Sequence, residues 1–360
     1  MLLYREDWAE AREMLSAWWR GDDMPRPAML VTAPLPKPRH HMPPPPEPAT
    51  IQDAWLNPDV VIGRAQAWMA STHYAGEAYP HLWVNIGPGI AATYVGSEPT
   101  FAETTVWFGR NAHMEWDEIE AIQFDPDNRW WNATKRLVAA AAACGKGRYI
   151  TGMTDLGGVL DILASLRGTM NLLTDLVDQP DRVVRATDML ANLWHRYYDE
   201  LDQLIAPSQE GTSAWMGIWC PSRWYPIQCD FSAMISPGMF AEFVLPSLRE
   251  QCRRLDHAIY HWDGPGQIPH LDHLLGIAEL DGIQWTPGEG NPDLADPVWF
   301  PLYRRILDAG KRLVLLGMAP GAIEGFLRQI PHQGVLITSW ASSPEDTDAL
   351  VRNAELWCRP

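Results

Sequence analysis

His261 and Asp263, in the run Tyr260-His261-Trp262-Asp263-Gly264-Pro265-Gly266, are the two residues whose types and spacing point most directly to chemistry. On an extended strand, side chains two positions apart face the same way. An imidazole and a carboxylate therefore share one face, where they can ligate a metal or act as an acid/base pair. The Gly-Pro-Gly behind them is a tight turn that lets a ligand approach the backbone. The plainer alternative is an Asp capping the next turn beside a His bonded to a neighbour.

Three further segments carry suitable groups. Ile283-Gln284-Trp285-Thr286-Pro287-Gly288-Glu289 supplies an amide, an aromatic plate and a carboxylate. Thr154-Asp155-Leu156-Gly157-Gly158 places a carboxylate straight after a strand-like run. The stretch from Trp219-Cys220-Pro221 to Cys229-Asp230-Phe231-Ser232 adds a thiol and Asp230, ahead of Ser236-Pro237, a helix start with a serine cap. The candidate catalytic residues are His261, Asp263, Asp230 and Asp155. His261 and Asp263 are the candidate metal ligands, completed by Asp230, Glu289 or Asp155 into a nitrogen/oxygen set. Substrate-binding candidates are Trp285, Gln284, Trp262, Trp219, Glu289 and Trp340. Each has a structural alternative: Trp285 as core, Glu289 as a solvated charge, Asp230 as a loop anchor, Cys220 as a small buried hydrophobe. His270-Leu271-Asp272-His273 has no ligand spacing and reads as loop support. Gly87-Pro88-Gly89 lacks the Lys-Ser/Thr of a phosphate loop, and no Gly-x-Ser-x-Gly elbow is present.

These segments need a scaffold that brings strand ends together. From residue 212 the pattern alternates strictly, with strand-like runs at 212–219, 257–262, 282–285, 312–317 and 334–338. Helix-like stretches at 237–256, 267–277, 297–310, 319–330 and 344–357 lie between them. Such alternation implies βα units on a parallel sheet. With earlier strands near 28 and 149, the expectation is an α/β fold: one (β/α)8 TIM barrel spanning residues 1–360. Helices are expected at 6–20, from Asn57 to about 71, at 131–144 and 157–178, and from 180 to about 205. Residues 34–50 read as an extended Pro-rich loop, and 80–130 as an aromatic-rich N-terminal insertion. Chemistry in such a barrel sits where strands end and βα loops begin.

Composition narrows the partners. The chain of 360 residues has 28 Lys+Arg against 45 Asp+Glu, a formal charge of −17. That argues against nucleic acid, which needs clustered cations, and against anionic lipid. No run approaches the roughly 20 apolar residues of a membrane span. The opening Met1-Leu2-Leu3-Tyr4-Arg5-Glu6-Asp7 has no apolar targeting core, so a cytoplasmic location is expected. Five cysteines without a Cys-x-x-Cys pair fit neither a disulfide framework nor a thiolate knuckle. Tryptophan, at 19, outnumbers both Tyr (10) and Phe (8), and several Trp fall near the expected strand ends. Aromatic faces beside carboxylates suit a cationic small molecule, at about 0.5–2 kcal/mol per contact. Ordinary packing is the competing account.

Several segments resemble the uroporphyrinogen decarboxylase superfamily, single-domain barrels that include zinc methyltransferases acting with corrinoid proteins. The resemblance rests on Gly87-Pro88-Gly89 through Gly96, Leu166-Arg167-Gly168 and Cys229 through Phe240. Tyr260 through Gly264, Ile283 through Pro287 and Pro344 through Leu350 complete it. It departs in telling places. The decarboxylases' Arg-Gln-Ala-Gly-Arg motif is missing, Gln284 stands where they have Asp, and Ser339-Trp340 where they have Gly-His. In the methyltransferases' His-x-Cys plus Cys pattern, His261 matches, Asp263 replaces the first Cys, and Trp340 or Ala341 falls at the second. The resemblance implies a methyltransferase-like enzyme moving a methyl group from a small methylated substrate to a corrinoid protein or other acceptor. It further implies zinc as metal and a corrinoid carried by a partner protein; a homodimer is the assembly expected of the chain. The alternatives are a decarboxylase-like lyase acting on a small carboxylic acid, and a non-catalytic barrel that binds a small molecule.

Overall fold

The computed structural model describes residues 1–109 and 113–359. Its strands are β1 (Ala28–Pro34), β2 (Thr72–Gly76), β3 (His81–Trp83), β4 (Thr100–Phe101), β5 (Val106–Trp107), β6 (Ile150–Gly152), β7 (Trp224–Gln228), β8 (His257–Asp263), β9 (Gly282–Thr286), β10 (Arg312–Leu315) and β11 (Val335–Trp340). Seven form one sheet in the order β2-β1-β11-β10-β9-β8-β7. All its pairings are parallel except β1 with β2. β3 and β6 make a separate parallel pair, and β4 with β5 a short antiparallel one. The protein is thus a mixed α/β fold with a central parallel sheet and helices.

Helices fall between consecutive strands from β7 to β11, as the alternation predicts. Parallel strands covered by helices must be apolar on the covered face. In β8 that face is Ala258, Tyr260 and Trp262, all fully buried, leaving His261 and Asp263 half-buried on the other. Asn57 and Ser236 cap their helices through side-chain oxygens, the serine as expected from sequence.

Three expectations need correction. Residues 212–219 are not a strand; apart from one bridge between Thr212 and Cys220 they form turns, and the strand is β7. The expected insertion contributes β3, which pairs with β6. The helix expected at 157–178 is two, Val159–Arg167 and Thr169–Asp178, parted at Gly168, whose φ is +87°. The ring expected from sequence is seen in part: eight strands run in parallel pairings, and among the described residues hydrogen bonding does not close them into a ring. The edge of β1 away from β11 is taken by antiparallel β2. The edge of β6 away from β3 is taken by one side chain: Thr151 N–H donates to Gln209 Oε1 at 2.7 Å, and Gln209 Nε2 donates to Thr151 O at 3.0 Å. Gln209 so fills a place where a neighbouring strand would bond.

The helix Trp8–Arg20 packs across the starting ends of the strands. Trp19 lies 4.9 Å from His257 and 5.4 Å from Trp224, the first residues of β8 and β7. Its indole N–H donates to Trp219 O at 2.9 Å. Arg312, opening β10, donates to the carbonyls of Trp18 and Trp19 at the end of that helix. That end is sealed by indoles, so the opposite ends of the strands are where polar groups can gather.

Candidate metal centre at the strand ends

Register builds the site. In the β8–β9 ladder His261 lies beside Gln284 and Asp263 beside Thr286, and in β7–β8 Gln228 lies beside His261. Asp230 follows β7 by two residues, in the turn Asp230–Met234. One ligand atom from each of Asp230, His261 and Asp263 lies within 4.8 Å of the others. His261 is oriented from behind. Its Nδ1–H donates to Gln284 Oε1, and Gln284 Nε2 donates to Thr286 Oγ1 at 2.8 Å. Fixing the proton on Nδ1 leaves Nε2 with a free lone pair, which is how metal-binding histidines are commonly prepared. The Trp215 ring stands edge-on to the imidazole at 5.0 Å.

A second layer of carboxylates supports the first. Asp161 accepts from the backbone N–H of Asp230 at 3.0 Å and of Phe231 at 2.8 Å, pinning the turn that carries Asp230. Asp155 is buried and accepts from Gly157 N–H at 2.8 Å. Lost solvation pushes its carboxyl up to about 6, against the lowering effect of the Gly157 hydrogen bond and His261. Asp230 reaches solvent, yet protein atoms crowd its carboxyl. Lost solvation, followed by the charges of Asp263 and Asp155, raises its pKa; Asp161 is raised by lost solvation and by Asp230. Like charges in a recessed site cannot all ionise freely.

Close backbone approaches explain the glycines here. A Cβ on Gly157, whose φ is +77°, would meet Gly89 Cα at 2.7 Å. The Gly87-Pro88-Gly89 segment thus packs against the Asp155 loop, and Ile90 N–H donates to Asp155 O at 3.0 Å. A Cβ on Gly158 would meet Gln228 O at 2.3 Å and Asp161 Oδ2 at 2.4 Å.

The fold resembles a solved methyltransferase. The protein is similar in structure to a methyltransferase from Methanosarcina mazei at 11% sequence identity and a TM-score of 0.56, over 97% of this chain and 99% of that one. No family model matches the sequence, and no curated protein matches it. Among the described residues no helix is long and apolar enough to cross a membrane.

Of the residues singled out from sequence, His261, Asp263, Asp230 and Gln284 come together directly, and Asp155 lies close enough to act on Asp230 by charge. Glu289 and Trp340 line a neighbouring groove of ≈ 400 Å³ that begins at Thr286. The other three stand elsewhere. Trp262 and Trp285 lie 4.6 Å apart on the opposite face of the sheet, with Trp285 packed 5.1 Å from Trp299. Trp219 belongs to the sealed end, 5.5 Å from Trp8. Alternation along β8 and β9 decides this: if His261 and Gln284 face inward, the following tryptophans face the helices. His270 is loop support, stacked on Phe240 at 4.4 Å and bonded to Ser232 O. Sequence reasoning missed Asp161. An acidic residue in the first turn of the helix after Gly157-Gly158 was a usable signal for Asp161. Trp215, one of the tryptophans placed near an expected strand end, does stand against His261, although it is carried by turns rather than by the strand expected at 212–219.

The donor set decides which metal chemistry fits. One imidazole and two carboxylates suit a hard or borderline divalent ion. Cys229, adjoining Asp230, is buried, and burial holds its thiol well above its ordinary pKa. Cys220 lies buried at the sealed end, where its backbone bridges Thr212. A thiolate-rich zinc site does not fit these residues; a nitrogen/oxygen site does.

Proposed function

We propose that the protein is a metal-assisted methyltransferase, moving a methyl group from a small methylated substrate to a corrinoid protein or other acceptor. The observation that carries this reading is the convergence of Asp230, His261 and Asp263 within 4.8 Å at the open ends of the strands. A divalent ion held there would supply Lewis acidity toward the heteroatom bearing the methyl group. The fold shared with a methyltransferase supports the reaction class, and eight parallel strands support a (β/α)8 barrel of the uroporphyrinogen decarboxylase kind.

The residues have separable tasks. His261, held by Gln284, and Asp263 and Asp230 bind the ion. The hard donor set favours substrates methylated on oxygen or nitrogen over sulfur. Trp215 walls the imidazole side, while Glu289 and Trp340 border the groove through which substrate approaches. The clustered carboxylates favour a neutral or cationic substrate over a polyanion.

Asp155, Asp161 and Asp230 favour a second reading, since a carboxyl whose proton burial holds above the usual carboxylate range can protonate a carbanion. That is the lyase alternative. One assay separates the two. The metal-loaded protein is mixed with reduced cobalamin and a panel of methylated amines and methanol, with methylcobalamin formation read by absorbance. Transfer with at least one donor, lost in His261→Ala, is expected. No transfer, together with CO2 release from a small carboxylic acid and no acceptor consumed, would replace this reading with the lyase.

A further inference from the structure

Trp340 differs from the other tryptophans at the strand ends, because it shares the inner face of the sheet with His261. Register fixes this. His261 lies beside Gln284, Gln284 beside Val314 and Val314 beside Leu336, and Trp340 stands two alternations beyond Leu336 on the same strand. Trp340 is 52% exposed, whereas Trp262 and Trp285, on the other face, are fully buried. Gly317, in the loop after β10, lies alongside its ring: a Cβ there would stand 4.0 Å from Trp340 Cζ3. The indole is thus flanked by backbone on one side and borders the groove of ≈ 400 Å³ with its exposed part.

The charges around this indole are of one sign. The groove runs from Thr286, the register neighbour of Asp263, past Glu289 and Asp293, and its walls hold no Lys, Arg or His among the described residues. Neither carboxylate is ion-paired among the described residues. The arginines of the helices that follow β9 and β10 pair elsewhere, Arg305 with Asp272 and Arg328 with Glu324. Other indoles take a cation from the chain itself, as Trp130 does from Arg129 at 4.5 Å and Trp116 from Arg167 at 5.6 Å. Trp340 has none among the described residues.

An accessible indole with carboxylates near it and no competing cation attracts a cationic ligand. Resting on the reading of the His261 centre as the place of methyl transfer, we propose that the groove binds an ammonium group of the substrate over Trp340, with Glu289 and Asp293 around it. The ammonium is not the group that loses its methyl, because a tetrahedral ammonium nitrogen has no lone pair to offer a metal ion. It anchors the far end of the molecule. Strands β8 and β11 are three spacings apart in the sheet, roughly 14 Å along its curve. A body several bonds long therefore joins the methylated oxygen or nitrogen at His261 to the ammonium at Trp340. An open groove suits such a group, which keeps part of its hydration while its apolar side meets the ring.

Ligand-observed NMR titration of the full chain, without added metal or methyl acceptor, tests this. The probes are choline and its uncharged analogue with tert-butyl in place of trimethylammonium. Choline is expected to bind with a millimolar or tighter Kd, at least about fivefold tighter than the analogue. Trp340→Leu should weaken choline at least about fivefold, and Trp340→Phe, which keeps an aromatic face, by less. Glu289→Gln combined with Asp293→Asn should weaken choline and leave the analogue unchanged. All three positions are exposed, so these variants are expected to fold. With neither ion nor acceptor present, the result is separate from the reaction. Choline preference lost in Trp340→Leu supports the subsite even if no donor yields methyl transfer. Choline bound no tighter than its analogue, or equally well by Trp340→Leu, overturns it even if methanol proves to be a methyl donor.

Discussion

Gln284 shows how much the site depends on a residue that need not touch the metal. It accepts from His261 Nδ1 and is itself held by Thr286, so imidazole orientation and tautomer pass through one amide. Loss of such a partner typically lowers metal affinity about 10–100-fold. Gln284→Leu should weaken zinc or manganese binding by that range, measured with a competing chelator, while the far-UV spectrum is unchanged. Asp155 gives a pH prediction. Burial lifts its carboxyl to about 6 in the folded protein, above its unfolded value of 3.8. The folded state thus holds this proton more tightly, so its stabilising contribution is full below the unfolded pKa and lost as pH rises through about 6. Asp155→Asn should leave metal-free stability near pH 4 little changed and raise it at pH 7 by about 2–3 kcal/mol in urea unfolding. His261 and Asp263 were legible in sequence because two-residue spacing on a strand fixes their common face. Asp161 was not, because it reaches the site from another part of the chain.

At the scale of elements, close approach does the positioning. Gly158 has ordinary backbone angles, with φ −79°, so its role is steric. Gly158→Ala would push against Gln228 O and Asp161 Oδ2, the groups that place Asp230. We expect metal affinity to fall at least about tenfold along with a lower melting temperature, since core overpacking costs about 1–3 kcal/mol. Gln209 is the counterpart on the edge of β6. Gln209→Ala strands two backbone groups of the buried Thr151, and should cost about 1–3 kcal/mol in chemical denaturation. The sequence pattern predicted β8 through β11 because strand and helix alternate there with clear apolar runs. It misplaced β7 because Thr212–Trp219 is as apolar as a strand but is folded into turns. It missed β2 and β3 because their residues are few and their pairing is non-local. A side chain standing in for a strand leaves no signature in a one-dimensional pattern.

For the whole molecule, the two unusual features of composition separate in space. Trp8, Trp18, Trp19, Trp219 and Trp224 seal one end of the strands and Trp262, Trp285 and Trp299 pack the outer layer, so most of the tryptophans named from sequence are structural. Acidity, by contrast, concentrates at the open end in Asp155, Asp161, Asp230 and Asp263. The charge therefore speaks for a cation at the site, and the indoles mainly for stability. The most direct test of this account is metal content. The purified protein is loaded with zinc or manganese, dialysed, and assayed by elemental analysis beside His261→Ala and Asp230→Ala variants that retain the native melting profile. The account predicts close to one ion per chain in the native protein and substantial loss in both variants. A native protein that retains no divalent ion, or variants that retain as much as the native chain, would contradict it.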